Sequence, residues 1–235
     1  MDYHEFSIYY GILFYNFPLI NKIFNDSNKK ISIINSGSLT GLDFRKVPEY
    51  IRELKKNGVD ILLIGIKLED LKHDVFLGFN FDVIIFVNQA DEIIEGNNNK
   101  DNNDIKELTE KLFLLTDDKG TVILNADDHE RISLLQGKRY SVLTYGFNSK
   151  ASITASSIGE GIYRESFICC LQRTLLTKDG KIIEPQEFDI KVNSGFVDSY
   201  SVMAAAAFAI FLGAILTPYS KNNDISFSDQ KPKLY

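Results

Sequence analysis

Apolar and amphipathic segments alternate along the chain, and this alternation predicts strands joined by helices. Residues 60–66 and 81–87 are almost continuously apolar, which is typical of strands buried on both faces of a parallel sheet. Residues 47–57 repeat apolar positions at helical spacing, with Pro48 in the first turn and Gly58 after the last. We therefore expect a doubly wound, mostly parallel α/β sheet in which 60–66 and 81–87 are neighbours. Its strands are predicted near residues 6, 32, 62, 84, 123 and 143, and its further helices at 13–24, 105–115 and 129–135.

From about residue 140 the pattern changes to short strands, predicted at 141–145, 152–156, 167–174 and 188–192. The run Lys-Asp-Gly-Lys at 178–181 is typical of a hairpin turn. A final apolar helix is predicted over 200–216; it is shorter than the roughly 20 residues that span a bilayer, so we expect it to pack on the sheet. We expect residues 1–217 to form one domain with a small β-rich C-terminal part, and the polar residues 218–235 to be a disordered tail.

Composition narrows the class of protein. A 44% hydrophobic and 25% charged chain of 235 residues is typical of a soluble globular protein with a sizeable core. A net charge of −6, without any cluster of Lys and Arg, argues against a nucleic-acid-binding surface. The adjacent pair Cys169 and Cys170 predicts no disulfide framework, and the first residues lack the basic start of a signal peptide. We expect a cytoplasmic protein that binds neither nucleic acid nor membrane.

The most informative polar residues follow the predicted strand 120–124. Asn-Ala-Asp-Asp at 125–128 ends this apolar strand abruptly. Because ligands of open parallel α/β sheets bind just beyond the carboxyl ends of the strands, Asn125, Asp127 and Asp128 lie where a nucleotide would be held. The local alternative is that the two aspartates cap the helix that follows, since Asp is a favoured N-cap residue.

Several segments, in this order, resemble the central ATP-binding domain of the Mur ligases, most of all the UDP-N-acetylmuramoyl-tripeptide synthetases of peptidoglycan assembly. The resembling segments are 29–34, 81–88, 125–128 and 193–201 with the alanine-rich helix after it. The resemblance covers roughly residues 3–217. It implies a P-loop NTPase-like fold, ATP-dependent formation of a carbon–nitrogen bond, and Mg-ATP as cofactor. It also implies vestigial nucleotide-binding positions at Gly11, Asn88, Asn125 and Asp128, with Asn125 at the adenine; for Asn88 the alternative is a turn that closes its strand.

The positions that would carry phosphoryl transfer depart from the family pattern. Counting back along that pattern places the P-loop at residues 9–13, with Ile12 and Leu13 where the family has a lysine and a hydroxyl residue. Gly65 stands where a metal-binding glutamate is expected, and Glu110, at the position of a carbamylated lysine, is a weak metal candidate. Phosphoryl transfer depends on charge and positioning. We therefore expect no catalytic residue, no metal site and no cofactor, with Mg-ATP only if the family activity is retained.

Three hypotheses follow from these departures. The chain is a Mur-ligase-like module that has lost catalysis and acts in binding or regulation, or an ATP-dependent acid–amino-acid ligase subunit completed by domains on another chain, or a structural protein that keeps only the fold. We expect the family's flanking N- and C-terminal domains to be missing. The aromatic, apolar segment 8–20 stands where a phosphate loop is expected, which predicts a protein partner or self-association through it. The alternative is that this segment is buried and fills the vacated pocket.

Overall fold

The computed structural model describes residues 8–12, 29–87, 102–155, 166–191, 198–214 and 217–218. The predicted helix at 13–24, Asn88 and most of the predicted tail lie outside the described residues. The described helices are α1 (Val47–Lys56), α2 (Asn102–Leu114), α3 (His129–Ser133) and α4 (Ser199–Phe211). The strands are β1 (Ile8–Ile12), β2 (Ile31–Asn35), β3 (Ile61–Gly65), β4 (Phe81–Phe86), β5 (Thr116–Asn125), β6 (Ser141–Tyr145), β7 (Ile153–Ala155), β8 (Ser166–Leu171), β9 (Leu175–Leu176), β10 (Ile182–Ile183), β11 (Gln186–Lys191) and β12 (Thr217–Pro218).

One large sheet organises the domain, in the order β12-β11-β8-β7-β6-β5-β4-β1-β3-β2. The strands from β2 through β7 pair in parallel, and β8, β11 and β12 continue the sheet with antiparallel pairs. The predicted α/β fold, with a doubly wound, mostly parallel sheet and a small β-rich C-terminal part, is confirmed. None of the described helices is long and apolar enough to cross a membrane.

The predicted neighbourhood of 60–66 and 81–87 is wrong, because β1 lies between β3 and β4. Gly11 of β1 is level with Gly65 on one side and with Ile85 on the other. The chain runs from β1 to the edge strand β2, returns to β3, and then continues on the other side of β1. The strand order therefore reverses around β1, and in such sheets the ligand crevice lies beyond the carboxyl ends at the point of reversal.

The central strands are buried on both faces, as their apolar sequences predict. In β3, Leu62 and Ile64 pack in a cluster that includes residues of α1 and α2, whereas Ile61 and Leu63 belong to the cluster that contains α4. Helix α4 is buried on nearly all sides, and its four consecutive alanines at 204–207 are each 0–1% exposed. Small side chains around a buried helix let its backbone approach the sheet closely, so α4 forms part of the core.

Helix α4 ends earlier than the predicted boundary at residue 216. Gly213 adopts a φ of 71°, its N–H donates to the Ile210 carbonyl, and the Ala214 N–H donates to the Ala209 carbonyl at 2.9 Å. This pattern of bonds is the Schellman motif, in which a left-handed glycine closes the helix. The predicted hairpin is confirmed as β9–β10, and its Lys178 N–H donates to the Phe211 carbonyl at 2.8 Å. The hairpin thus caps the carboxyl end of α4.

Candidate functional site

The candidate site lies where β4, β5 and β6 end side by side. Asn125, the last residue of β5, is level with Tyr145, the last residue of β6. The Ala126 N–H donates to the Tyr145 carbonyl at 2.7 Å, so the chain stays bound to the neighbouring strand as it leaves the sheet. Because parallel strands end at one edge, the residues that follow them are brought together there.

Asn125 is buried, with 2% of its surface exposed. Its Oδ1 accepts a hydrogen bond from the Asp127 N–H at 2.9 Å, which closes a tight turn after the strand. Its Nδ2 is also buried, and no hydrogen-bond acceptor lies within reach of it among the described residues. Unpaired buried amide donors are uncommon and destabilising. An acceptor atom supplied by a ligand would satisfy this one.

Asp127 ties three elements together. Its carboxylate accepts the backbone N–H of Phe147 at 2.8 Å and that of Asn148 at 3.0 Å, both in the loop after β6. It also accepts the hydroxyl hydrogen of Tyr200, from the first turn of α4, at an oxygen–oxygen distance of 3.3 Å. The predicted alternative that Asp127 caps the next helix is therefore wrong. Its carboxylate instead joins the end of β5 to the loop after β6 and to α4.

Gly146 makes this arrangement possible, because it adopts a φ of 145° directly after β6. A Cβ atom at this position would lie 2.7 Å from Asn125 Oδ1 and 2.7 Å from Asp127 Oδ2. Real Cβ atoms do not approach oxygens so closely. Only glycine therefore fits both the backbone conformation and the space against the two polar side chains.

For Asp128 the local alternative is confirmed, since its side chain caps α3. The carboxylate accepts the Arg131 backbone N–H at 3.0 Å and forms an ion pair with Arg131 Nη1 at 2.7 Å. The guanidinium of Arg131 lies over the Phe86 ring, 5.7 Å from its centroid. Asp128 and Arg131 are each about a fifth to a quarter exposed at the side chain, so the pair is largely withdrawn from water.

Two tyrosines at the site, Tyr145 and Tyr200, were not predicted as site residues from the sequence. Tyr145 is fully buried, and its hydroxyl donates to the Phe86 carbonyl of β4, spanning the end of β5. Burial raises its pKa far above the ordinary value. Burial, followed by the negative charge of Asp127, also raises the pKa of Tyr200. Both hydroxyls therefore stay neutral donors near neutral pH. A tyrosine at the end of a buried strand is the signal that a polar partner lies nearby.

The expected P-loop residues lie partly in the sheet. Gly11 is inside β1, paired on both sides, and Ile12 is the last residue of that strand, level with Phe86. Gly65 ends β3 at the same edge as the Asn125 turn. The positions expected for a P-loop lysine and a metal-binding glutamate are thus near the crevice, but they carry no charged group.

Glu110 is not brought to this edge. It is exposed on α2, which ends at Leu114, directly before β5 begins. The start of β5 at Thr116 is level with Phe81 at the start of β4, and Asn125 lies about 20 Å further along the sheet. Within the part of the chain that the structure describes, no group of three or more metal-ligating side chains is close enough to hold a metal ion.

Comparison with protein families identifies the class to which this fold and site belong. A sequence model described as the Mur ligase middle domain matches residues 18–210. The chain therefore belongs to the Mur ligase middle domain family. The match begins after residues 9–13, where the P-loop was expected. No match was found among curated proteins.

Solved structures show the same fold. MurF from Acinetobacter baumannii superposes with a TM-score of 0.56 and 13% identity, covering 89% of this chain and 44% of that one. A MurF ligase from Thermotoga maritima in complex with ADP gives a TM-score of 0.52 and 13% identity, over 90% of this chain and 47% of that one. A mutant of L. casei FPGS gives a TM-score of 0.50 and 9% identity, over 90% and 60%. The chain thus spans about half the length of these proteins.

Proposed function

We propose that this chain is a Mur-ligase-type middle domain that does not catalyse ATP-driven ligation and that acts as a binding or regulatory module in peptidoglycan biosynthesis. Membership of the family and the likeness to MurF support the link to peptidoglycan. Phosphoryl transfer requires cations and carboxylates held at the phosphates. The positions expected to supply them, Ile12 and Gly65, carry none.

The observation that carries this proposal is that both aspartates, Asp127 and Asp128, are hydrogen-bonded to other groups of the same chain. The Asp127 carboxylate accepts from two backbone N–H groups and one hydroxyl, and the Asp128 carboxylate accepts from the backbone and side chain of Arg131. Because these partners all lie within the chain, neither carboxylate needs a ligand to satisfy it. The motif therefore serves to hold the end of the sheet together.

Turnover and binding of Mg-ATP test the proposal. We expect no phosphate release above that of the Asp128→Ala variant, and no rise in melting temperature with millimolar Mg-ATP. A ligand present at a hundredfold excess over its Kd would stabilise the fold by about 2.7 kcal/mol. Phosphate release by the unmodified chain that is lost in Asn125→Ala or Asp128→Ala would contradict the proposed inactivity.

A second candidate function is an ATP-dependent acid–amino-acid ligase subunit completed by domains on another chain. The unpaired, buried Nδ2 of Asn125 favours it, since a nucleobase acceptor would satisfy this donor. The T. maritima MurF structure, which holds ADP, has the same fold. A melting temperature that rises with nucleotide in the unmodified chain but not in Asn125→Leu would support retained binding. The same rise without phosphate release would identify a binding subunit rather than an active ligase.

A further inference from the structure

The turn between α1 and β3 contains the one Asn-Gly step in the sequence, Asn57-Gly58. Asn57 follows the last residue of α1 with a φ of −81° and a ψ of 9°, and Gly58 has a φ of 74°. Both residues are exposed, and a Cβ atom at position 58 would meet nothing within 4 Å. Because glycine has no side chain, the backbone nitrogen after Asn57 is shielded less than it would be in any other residue.

This step is chemically reactive because the Gly58 nitrogen can attack the side chain of Asn57. After water takes up the Gly58 amide proton, the nitrogen forms a bond to Asn57 Cγ. The Cγ–Nδ2 bond breaks, and ammonia leaves after its nitrogen takes up a proton from water. Water then opens the resulting succinimide ring. Opening at Cγ gives aspartate, opening at the backbone carbonyl carbon gives isoaspartate, and nothing is oxidised or reduced in either case.

The fold opposes the first step of this reaction. The Gly58 N–H donates to the Lys55 carbonyl at 2.9 Å, and the Asn57 N–H donates to the Glu53 carbonyl at 3.0 Å. A backbone nitrogen whose hydrogen is held by a carbonyl oxygen loses its proton only after that bond opens, as in amide hydrogen exchange. Reaction at Asn57 therefore requires the carboxyl end of α1 to open locally.

Lys30 holds this end of the helix in place from the neighbouring strand. Its Nζ donates to the Asn57 carbonyl at 2.7 Å, and its backbone N–H donates to the Asp60 carboxylate at 2.8 Å. The Asp60 N–H in turn donates to the Lys30 carbonyl at 2.9 Å. The residue before β2 is thus bonded to residues on both sides of Gly58. Opening the turn must therefore break contacts between two elements as well as the end of the helix.

We propose that Asn57 is a site of spontaneous deamidation, and that the hydrogen bonds of Gly58 and Lys30 keep its reaction slow until the end of α1 opens. The product carries a carboxylate in place of the neutral amide, and the isoaspartate form adds a carbon atom to the main chain. This longer link does not fit the turn, so the modified molecules keep a loosened connection between α1 and β3. The reaction is independent of the Asn125 edge, because the turn precedes β3 at the opposite end of the parallel strands.

Peptide mapping of the incubated full chain tests whether the site reacts and whether the fold controls it. At mildly alkaline pH, we expect aspartate and isoaspartate to form at position 57 in the chain unfolded in urea, and roughly ten times more slowly in the folded chain. Asn57→Gln should remain unmodified over the same time, because its longer side chain must close a larger, less favourable ring. Equal rates in the folded and unfolded chains would refute control by the fold. Absence of product at position 57 in the unfolded chain would refute the site.

Removal of the Lys30 side-chain contact tests its part in this control. Lys30→Met should speed deamidation of the folded chain roughly threefold, since an exposed hydrogen bond from a charged donor is lost. The matched control Lys46→Met removes the same charge from an exposed residue immediately before α1 and should leave the rate unchanged.

Amide hydrogen exchange separates local opening from global unfolding in these variants. In Lys30→Met the Gly58 amide should exchange faster, whereas the amide of Leu63, in the buried strand β3, should exchange as before. An unchanged deamidation rate in Lys30→Met would overturn the role of Lys30. Equal acceleration of exchange at both amides would show that the whole fold opens, and would overturn the proposed local control.

Discussion

Replacing Gly146 by alanine tests the geometry of the site most directly. Two terms add in this substitution. The backbone has a φ of 145°, which an L-residue rarely adopts, and a strained φ of this kind costs about 1–3 kcal/mol. The new Cβ would also stand 2.7 Å from the oxygens of Asn125 and Asp127, so at least one of their hydrogen bonds must shift, at about 1 kcal/mol. We expect a loss of stability of about 2–4 kcal/mol, or about 4–16 °C in melting temperature.

Gly137 provides the matched control for this experiment. It also has a positive φ, 76°, but a Cβ there meets nothing within 4 Å. Gly137→Ala should therefore show the backbone term alone, about 1 kcal/mol. Urea unfolding of both variants separates strain from crowding. In the background of Asp127→Ala, Gly146→Ala should cost less than it does in the unmodified chain, because one of the crowding oxygens is removed. If Gly146→Ala cost no more than Gly137→Ala, the close contact with the two side chains would be refuted.

Two further predictions concern the same edge. Asp128→Ala removes the cap of α3 and the ion pair with Arg131, so it should lower the free energy of unfolding by about 1–2 kcal/mol. Glu130→Ala changes an exposed residue of the same helix and should leave the free energy of unfolding nearly unchanged. Chemical unfolding of both variants measures the difference. Burial in the folded state raises the pKa of Tyr145 above its usual 10.0. The contribution of the neutral Tyr145 hydroxyl to the free energy of unfolding is therefore complete below about pH 10 and is lost as the pH rises above that value. Tyr145→Phe should be less stable at neutral pH by about 1–3 kcal/mol, through the orphaned Phe86 carbonyl. It should also lose less stability on raising the pH from about 9 to about 11, and an identical alkaline slope would contradict this reasoning.

Local patterns in the sequence were sufficient for most elements of the fold. The strand 141–145 was predicted at the bounds it has, and the predicted helix 47–57 differs from α1 by one residue. Both depend on periodicity and on turn residues that act within a few positions. The prediction that 60–66 and 81–87 are neighbouring strands was wrong because it depends on contacts between distant parts of the chain. The insertion of β1 between them is a long-range choice of strand order that apolar patterning does not encode.

At the candidate site, too, local contacts could be predicted from the sequence and long-range contacts could not. The cap by Asp128 is a contact over three residues, and the sequence allowed it to be predicted. The contacts of Asp127 reach Phe147 and Asn148, some twenty residues away, and Tyr200, 73 residues away. No spacing rule reveals such partners. The sequence placed the motif at the end of its strand but did not show that the first aspartate, Asp127, holds three elements together.

The burial of α4 on nearly all sides has a consequence for the order in which the chain acquires its structure. This helix packs against β4, β5, β6, β7 and β8, and its carboxyl end is closed by the β9–β10 hairpin. A helix so apolar has no polar face to protect it in water. During synthesis the sheet strands leave the ribosome many residues before α4 does, so one face of the sheet stays uncovered until the helix arrives. Coverage of this face is thus completed by one of the last described elements to be made.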